Sequence, residues 1–355
     1  MLVQAVEPLA LDRNGGPLDQ NRPGFLSEFS ASSSKLRGLS QPNHCRAQPS
    51  RDCCAAGIDR SRPALWPAWP RWVYEPPMDR RTFLNHTARV VALAGVGGAV
   101  AVEAHANEPG VVVTRVHSIA FRGAKVWSDR ATLRVAQLSD VHVGWGTPPE
   151  TLIAAQRAAH AVKPDLMVLT GDYLNRSLGE LAIFEAWVAG LPRPLVATLG
   201  NHDHYSGAAA IRRMLEHQGV VVLTNENVTL DIGGRLLTVV GLDDGFTHRD
   251  NPEKAFAGLA LPDRALVLSH EPRTADRIGL YGGRVVLSGH THGGQVVLPG
   301  ITGAITHLAG MRYVAGWYQA GDARVYVNAG IGASVRVPRY GAQAMPELSV
   351  FDLAA

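Results

Sequence analysis

The feature that most constrains the fold is a series of short apolar runs after residue 106, each ending in a polar cluster. There are seven: LRVAQLSDVH, DLMVLTGD, PLVATLGNHDH, RLLTVVGLDD, RALVLSHEP, GRVVLSGHTH and ARVYVNAG. Runs of four to seven apolar residues that are rich in Val and Leu and bounded by Gly are typical of strands buried on both faces. The pattern therefore predicts a set of buried strands.

Segments with helical periodicity lie between several of these runs. Apolar residues recur at a spacing near 3.6 in residues 148–162, 179–190 and 206–219. We expect Pro148 at the start of the first helix, and Ser206 as the cap and Gly219 as the stop of the third. Alternating strands and helices predict an α/β fold. Because residues 107–355 contain no internal repeat and no linker, we predict one domain there, with residues 298–318 forming a loop and hairpin at its rim.

Charge and cysteine content limit the possible partners of this domain. Residues 1–106 contain 12 Lys and Arg against 9 Asp and Glu, whereas residues 107–355 contain 22 of each. The basic excess thus lies outside the domain, and we expect no nucleic-acid surface on it. Cys45, Cys53 and Cys54 also precede residue 107, which excludes a disulfide framework or thiolate metal site in the domain.

The N-terminal 106 residues are predicted to serve targeting and not the fold. Residues 1–77 hold 10 of the 22 prolines and are expected to be a disordered leader, or upstream sequence before a true start at Met78. In residues 78–106, Arg80-Arg81 precede Phe83-Leu84, an uncharged run of 13 residues and an A-x-A site. This layout resembles a twin-arginine signal, the alternative being the basic start of a buried helix. We expect export by the twin-arginine machinery to the periplasm or the outer face of the cytoplasmic membrane, with membrane anchoring if the signal is not cleaved.

The carboxyl ends of the predicted strands carry residues that can bind metal. In open α/β sheets, ligand sites lie at these ends. A single histidine or Gly-Asp turn there is more often structural, but five strand ends carry such residues. They are Asp140, His142, Asp172, Asn201, His202, His270, His290 and His292. Oxygen and nitrogen donors without sulfur suit Zn, Mn, Fe or Ni. The donors suffice for two divalent ions, with Asp172 as the candidate bridge.

The order of these motifs resembles the calcineurin-like metallophosphoesterases over residues 133–293. The blocks SDVH, GNHDHY, SHEP, SGHTHGGQ and VYVNAG are similar to a branch of exported or membrane-associated bacterial phosphodiesterases, the YkuE and YaeI type. The resemblance implies the metallo-dependent phosphatase fold, a four-layer α/β/β/α sandwich with two mixed β-sheets.

The resemblance also implies a role for each site residue. The first metal ion would bind Asp140, His142, Asp172 and His292. The second would bind Asp172, Asn201, His270 and His290. His202 would act on the leaving oxygen as a general acid or stabilise charge in the transition state, and Asp203 would orient the His202 imidazole. A hydroxide bridging the two metal ions would attack phosphorus.

The implied activity is hydrolysis of a phosphodiester, in a small-molecule or in a lipid or cell-envelope substrate. Because there is no large insertion between the motifs, the site is expected to be open. Separately, we expect the chain to act as a monomer. A UDP-2,3-diacylglucosamine pyrophosphatase acting on a lipid A precursor is an alternative, because one branch with a similar GHTHGGQ element has that activity. A non-catalytic scaffold is a more distant alternative, since scaffolds on this fold have lost ligands.

Overall fold

The computed structural model describes residues 109–354 except 124–126, 128–131, 145, 298–301, 303–310 and 335–338. The predicted leader, the predicted signal segment and the three cysteines lie outside the described residues, as does most of the predicted loop at 298–318. None of the described helices combines the length and apolar character that are needed to cross a bilayer.

The described strands form two mixed sheets. The first sheet has the spatial order β1-β12-β2-β3-β4-β5, in which only β12 and β2 pair antiparallel. Its strands are β1 (Val113–Ala120), β2 (Leu133–Leu138), β3 (Leu166–Thr170), β4 (Leu195–Thr198), β5 (Val221–Val222) and β12 (Glu347–Ala354). The last strand of the chain therefore lies between the first two.

The second sheet has the order β10-β11-β9-β8-β7-β6, with antiparallel pairs at both edges and parallel pairs between them. Its strands are β6 (Glu226–Ile232), β7 (Arg235–Gly241), β8 (Leu266–Leu268), β9 (Val285–Ser288), β10 (Gly316–Ala320) and β11 (Ala323–Val327). All seven apolar runs of the sequence are strands. The hairpin β10–β11 lies C-terminal to the predicted position, since only residues 316–318 of β10 fall within the predicted range 298–318.

Helices cover the outer faces of both sheets. The described α-helices are α1 (Pro149–Ala161), α2 (Leu181–Ala189), α3 (Asn201–Ser206), α4 (Ala208–His217), α5 (Pro252–Ala255) and α6 (Ala275–Ile278), of which α3 follows the carboxyl end of β4. Helix α1 packs against β12 and α4 against β5, while Ala255 of α5 and Ile278 of α6 join the apolar outer face of the second sheet. The amphipathic patterns explain this: α1 buries Leu152, Ala155 and Ala159 at helical spacing.

The main core lies between the two sheets. Val135 and Val168 of the first sheet contact a cluster that includes Leu266 and Leu287 of the second. The α/β/β/α fold with two mixed sheets is thus confirmed.

One predicted boundary is wrong. Ser206 does not cap α4. It is the last residue of α3, and Gly207, with φ +134°, separates the two helices. The predicted stop is confirmed, because Gly219 follows α4 with φ +73°.

Candidate metal centre

The carboxyl ends of five strands bring the predicted metal ligands together in two groups. The first cluster is Asp140, His142 and His292, and the second cluster is Asp172, His270 and His290. Within each cluster the potential ligand atoms all lie within 4.8 Å of one another. Asn201, the seventh predicted ligand, joins the second cluster, since its Oδ1 lies 3.2 Å from Nε2 of His270.

Asp172 links the two clusters. Its Oδ2 lies 3.2 Å from Nε2 of His270 and 3.7 Å from Nε2 of His142. Its Oδ1 accepts a hydrogen bond of 2.9 Å from the backbone N–H of His202. The residue predicted to bridge two ions therefore occupies the position between the two groups of donors.

The backbone at these strand ends is strained. Five of the seven predicted ligands have a positive φ without being glycine: Asp140, His142, Asp172, His290 and His292. This conformation costs about 1–3 kcal/mol per residue and is concentrated at functional sites. The positive φ values turn the backbone sharply after each of these strands. Side chains that are only two residues apart can therefore both reach the site.

Two motif glycines are required by close packing against the carboxylates. A Cβ on Gly289 would lie 2.0 Å from Ser139 Oγ and 2.3 Å from Asp140 Oδ2. A Cβ on Gly200 would lie 2.2 Å from Asp172 Oδ1. The glycines in GNHD and GHTH therefore make room for the carboxylates of the preceding motifs.

The first cluster presents neutral imidazoles. The Nε2 atoms of His142 and His292 lie 3.2 Å apart, and Nδ1 of His292 donates to the Gly332 carbonyl at 3.1 Å. The lone pair of His292 is therefore on Nε2, which faces the cluster. Burial lowers the pKa of His292 to about 4. Burial, reinforced by His292, lowers the pKa of His142 well below its usual value.

In the second cluster, three potential ligand atoms surround Nε2 of His270: Oδ2 of Asp172, Oδ1 of Asn201 and Nδ1 of His290. His270 donates through Nδ1 to the Thr170 carbonyl at 2.8 Å, and its Nε2 lies 3.1 Å from Nδ1 of His290. Burial lowers the pKa of His270, but the Asp172 carboxylate outweighs it and the pKa rises well above its ordinary value. Burial opposes ionisation of Asp172 too, yet its pKa falls because His270 and His142 lie beside it.

Both donor sets fit a divalent cation. Each consists of imidazole nitrogens and carboxylate or amide oxygens whose lone pairs point at one another, and such atoms repel unless a proton or a cation lies between them. These donors suit Zn, Mn, Fe or Ni. The seven residues could therefore hold two ions, with Asp172 available to both.

His202 lies beside the first cluster, but Asp203 does not orient it. The His202 ring is edge-on to that of His142, with centroids 4.8 Å apart, and its Nδ1 donates to the Asn175 carbonyl at 2.5 Å. Nε2 is thereby left as the nitrogen for an exchangeable proton. The predicted role of Asp203 is corrected here: it is fully buried, and its two oxygens accept three backbone N–H groups.

The three donors to Asp203 belong to Asp172, Tyr173 and Gly200, at 2.8, 2.8 and 2.9 Å. Burial, together with the Asp172 charge, raises the pKa of Asp203 to about 7. The Asp203 side chain thus stabilises the turn that carries Asp172, because it accepts from the backbone N–H groups of Asp172 and Tyr173 in that turn.

Several residues that support the site were not predicted. Glu271 is buried, and its Oε2 lies 3.4 Å from Nε2 of His290. Its position directly after His270 in the SHEP block could have suggested it. Arg339 is also buried, and it donates to the carbonyl of Gly332. No sequence pattern marked Arg339, because its partners are backbone carbonyls, which every residue type provides.

Two mixed sheets between helical layers, with two adjoining donor clusters at the carboxyl ends of the strands, define a metallophosphoesterase, a hydrolase of phosphoric esters. The chain belongs to the calcineurin-like phosphoesterase family, whose model matches residues 133–294.

Three relatives illustrate the similarity. The metallophosphoesterase YkuE of Bacillus subtilis (strain 168) is 32% identical over 288 residues, covering 78% of this chain and 98% of the relative. Phosphodiesterase YaeI of Escherichia coli (strain K12) is 28% identical, covering 78% of this chain and 99% of YaeI. UDP-2,3-diacylglucosamine pyrophosphatase LpxG of Chlamydia muridarum (strain MoPn / Nigg) is 25% identical, covering 72% and 94%.

Proposed function

We propose that this chain is a phosphodiesterase that uses two divalent metal ions. The observation that carries the proposal is the arrangement of two donor clusters around Asp172. Asp140, His142, Asp172 and His292 would hold one ion, and Asp172, Asn201, His270 and His290 the other. When bound, two such ions supply charge neutralisation for the phosphate and lower the pKa of a water molecule that attacks phosphorus.

The protein's own groups complete the chemistry. His202 lies next to the first cluster with its Nδ1–H fixed by Asn175. Nε2 is therefore the atom that would carry the second proton of the imidazolium form and pass it to the leaving oxygen, which leaves the ring neutral. A scaffold that had lost its activity would lack part of this set. All seven predicted ligands and His202 are present and brought together, which favours an enzyme.

The exposed side chains beside the clusters favour a diester with apolar or ring-containing substituents. Tyr205 is 55% exposed and its ring lies 5.7 Å from that of His202. Phe246 is 44% exposed and its ring lies 5.0 Å from that of His290. One exposed aromatic ring thus adjoins each cluster. A diester has a substituent for both rings, whereas a monoester has a substituent for one.

The activity is tested with purified, manganese-loaded protein and a panel of phosphodiesters, phosphomonoesters, phospholipids and UDP-linked lipids. We expect chelator-sensitive hydrolysis with the highest kcat/KM for a diester. His292→Ala should abolish most of this activity and lower the metal content, while the exposed His217→Ala should change neither. Wild-type metal content in His292→Ala would contradict the ligand assignment, and preference for monoesters would contradict the diester assignment.

The second candidate is cleavage of a UDP-diacylglucosamine pyrophosphate. The similarity to LpxG, 25% identity over 314 residues, favours it. The same substrate panel distinguishes the two activities. If the protein hydrolyses the UDP-linked lipid to UMP with a higher kcat/KM than it hydrolyses any simple diester, the pyrophosphatase is favoured.

We also propose that the protein works after export. The support is the Arg80-Arg81 motif with its apolar run and A-x-A site. Replacing both arginines with lysine should retain the protein in the cytoplasm, as measured by fractionation of cells, while the protein with both arginines is exported. Equal export of the two forms would contradict the twin-arginine route.

A further inference from the structure

The motif Asn328-Ala329-Gly330, which follows β11, has no part in the proposed chemistry. Its last two residues begin a turn that contacts the first cluster. This turn, residues 329–332, is called the supporting turn below. The Gly332 carbonyl accepts the hydrogen bond from Nδ1 of His292, and the Gly332 N–H donates to the Asp140 carbonyl at 2.8 Å. Gly330 has φ +74°, and a Cβ there would lie 2.6 Å from Cβ of Asp140. The turn therefore touches two members of the first cluster.

Arg339 holds the supporting turn from one side. It is only 6% exposed, and its guanidinium donates to the carbonyls of Ala329, Gly332 and Ala344, with a longer contact of 3.4 Å to the carbonyl of His292. All its hydrogen-bond acceptors among the described residues are backbone carbonyls. The planar fork of five N–H donors suits this arrangement, and the single ammonium group of lysine does not.

Asn328 holds the supporting turn from the other side. Its Oδ1 accepts from the N–H of Gly330 at 2.6 Å, and its Nδ2 donates to Ser349 Oγ at 2.7 Å. Ser349 in turn donates to the buried Glu347 at 2.5 Å. The turn is thereby tied to β12, which lies between β1 and β2 in the first sheet.

The second cluster has different supports. His270 is held by the Thr170 carbonyl, and His290 lies against Glu271, which Arg273 binds through Nε at 3.0 Å and Nη2 at 3.1 Å. Among the described hydrogen bonds, none joins the supporting turn to the side chains of the second cluster. The clusters meet through Asp172 and through the His290 N–H, which donates to Asp140 at 3.0 Å.

We propose that the supporting turn, clamped by Arg339 and Asn328, positions the ligands of the first metal ion alone, and that Glu271 does the same for the second. The two metal affinities can then be weakened separately. The proposal rests on the two-metal site of the proposed function. Loss of a group that orients a metal ligand typically costs about 10–100-fold in metal affinity.

The test measures stepwise binding of Mn²⁺ to the full chain by equilibrium dialysis with elemental analysis. Arg339→Lys and Asn328→Ala should each weaken one of two binding steps by about 10–100-fold and remove the electron paramagnetic resonance signal of a coupled Mn²⁺ pair at limiting metal. Arg134→Lys is the matched control. Arg134 binds Asp352 through Nε and Nη2, and we expect that variant to bind both ions as the wild type does.

A double-mutant cycle identifies the affected ion. In a His292→Ala background, which lacks a ligand of the first ion, Arg339→Lys should leave the affinity for the remaining ion within about twofold of its value, as expected for sites that do not interact. In the same background, Glu271→Gln should weaken the binding of the remaining ion. Equal weakening of both steps by Arg339→Lys, or further weakening in the His292→Ala background, would overturn the proposal.

Folding and function are separated from this outcome by two measurements. Thermal unfolding without metal identifies a variant that has lost its fold. If Arg339→Lys is such a variant, Asn328→Ala tests the same supporting turn through a different hydrogen bond. A wild-type protein that binds two ions but hydrolyses no phosphodiester would overturn the proposed function and leave the separate supports standing. A wild-type protein with one binding step would overturn the separate supports.

Discussion

Replacement of Asp203 by asparagine distinguishes the role that the structure gives this residue from the role that family resemblance implied. Both carboxyl oxygens of Asp203 accept backbone hydrogen bonds: Oδ2 from Asp172 and Gly200, and Oδ1 from Tyr173. Asparagine keeps one acceptor and presents an NH₂ group in place of the other. At least one buried N–H of the turn then loses its partner.

The magnitude follows from these contacts. An unpaired buried donor costs about 1–3 kcal/mol. The carboxylate charge adds no stabilisation to this, because burial and the Asp172 charge oppose the ionisation of Asp203 in the folded protein. We expect Asp203→Asn to lower the free energy of unfolding by about 1–3 kcal/mol. For a domain of about 250 residues this lowers the Tm by roughly 5 °C. Because the loosened turn carries Asp172, metal content should fall as well.

The assay is thermal unfolding with and without chelator, together with metal content and turnover. Asp231→Asn is the matched control: its Oδ1 accepts from Gly234 at 2.7 Å in an exposed turn, and asparagine retains that oxygen. We expect a change within about 0.5 kcal/mol there. If Asp203→Asn kept the wild-type Tm and metal content but lost turnover as His202→Asn does, the support of the Asp172 turn would be refuted and the orienting role restored.

Two further substitutions test the site. His202→Asn should lower kcat by about 10²–10⁴-fold with both metal ions still bound, as measured by steady-state kinetics and elemental analysis; an unchanged kcat would reject its catalytic role. Gly289→Ala should destabilise the fold and reduce metal binding, because the added Cβ would lie 2.3 Å from Asp140 Oδ2. Gly179→Ala, whose Cβ would meet no atom closer than 3.4 Å, is its control, and equal Tm values for the two variants would contradict the packing argument.

Much of the fold could be read from the sequence because strands inside its sheets, such as β3, β4 and β9, are buried on both faces. Such strands are continuous apolar runs, and all seven that were predicted are present. Strand β12 escaped prediction, although it is largely buried, because Glu347 and Ser349 interrupt its apolar run. These residues are buried but paired with Tyr326 and Asn328, partners that no local pattern reveals. Strand β1 alternates half-buried and exposed residues along most of its length, at the edge of the first sheet.

The sequence by itself determined which residue types stand at the strand ends, and hence the donor chemistry of the site. Only the tertiary structure decided how these donors group, that Asp203 serves the Asp172 turn, and that Arg339 and Asn328 clamp the turn beside His292. The physical reason is the range of the interactions. The apolar pattern that predicts a buried strand lies within a few consecutive residues. His142 and His292, in contrast, are in contact although 150 positions separate them in the chain. Their contact depends on the pairing of strands in two sheets, which brings the carboxyl ends of distant strands to one place.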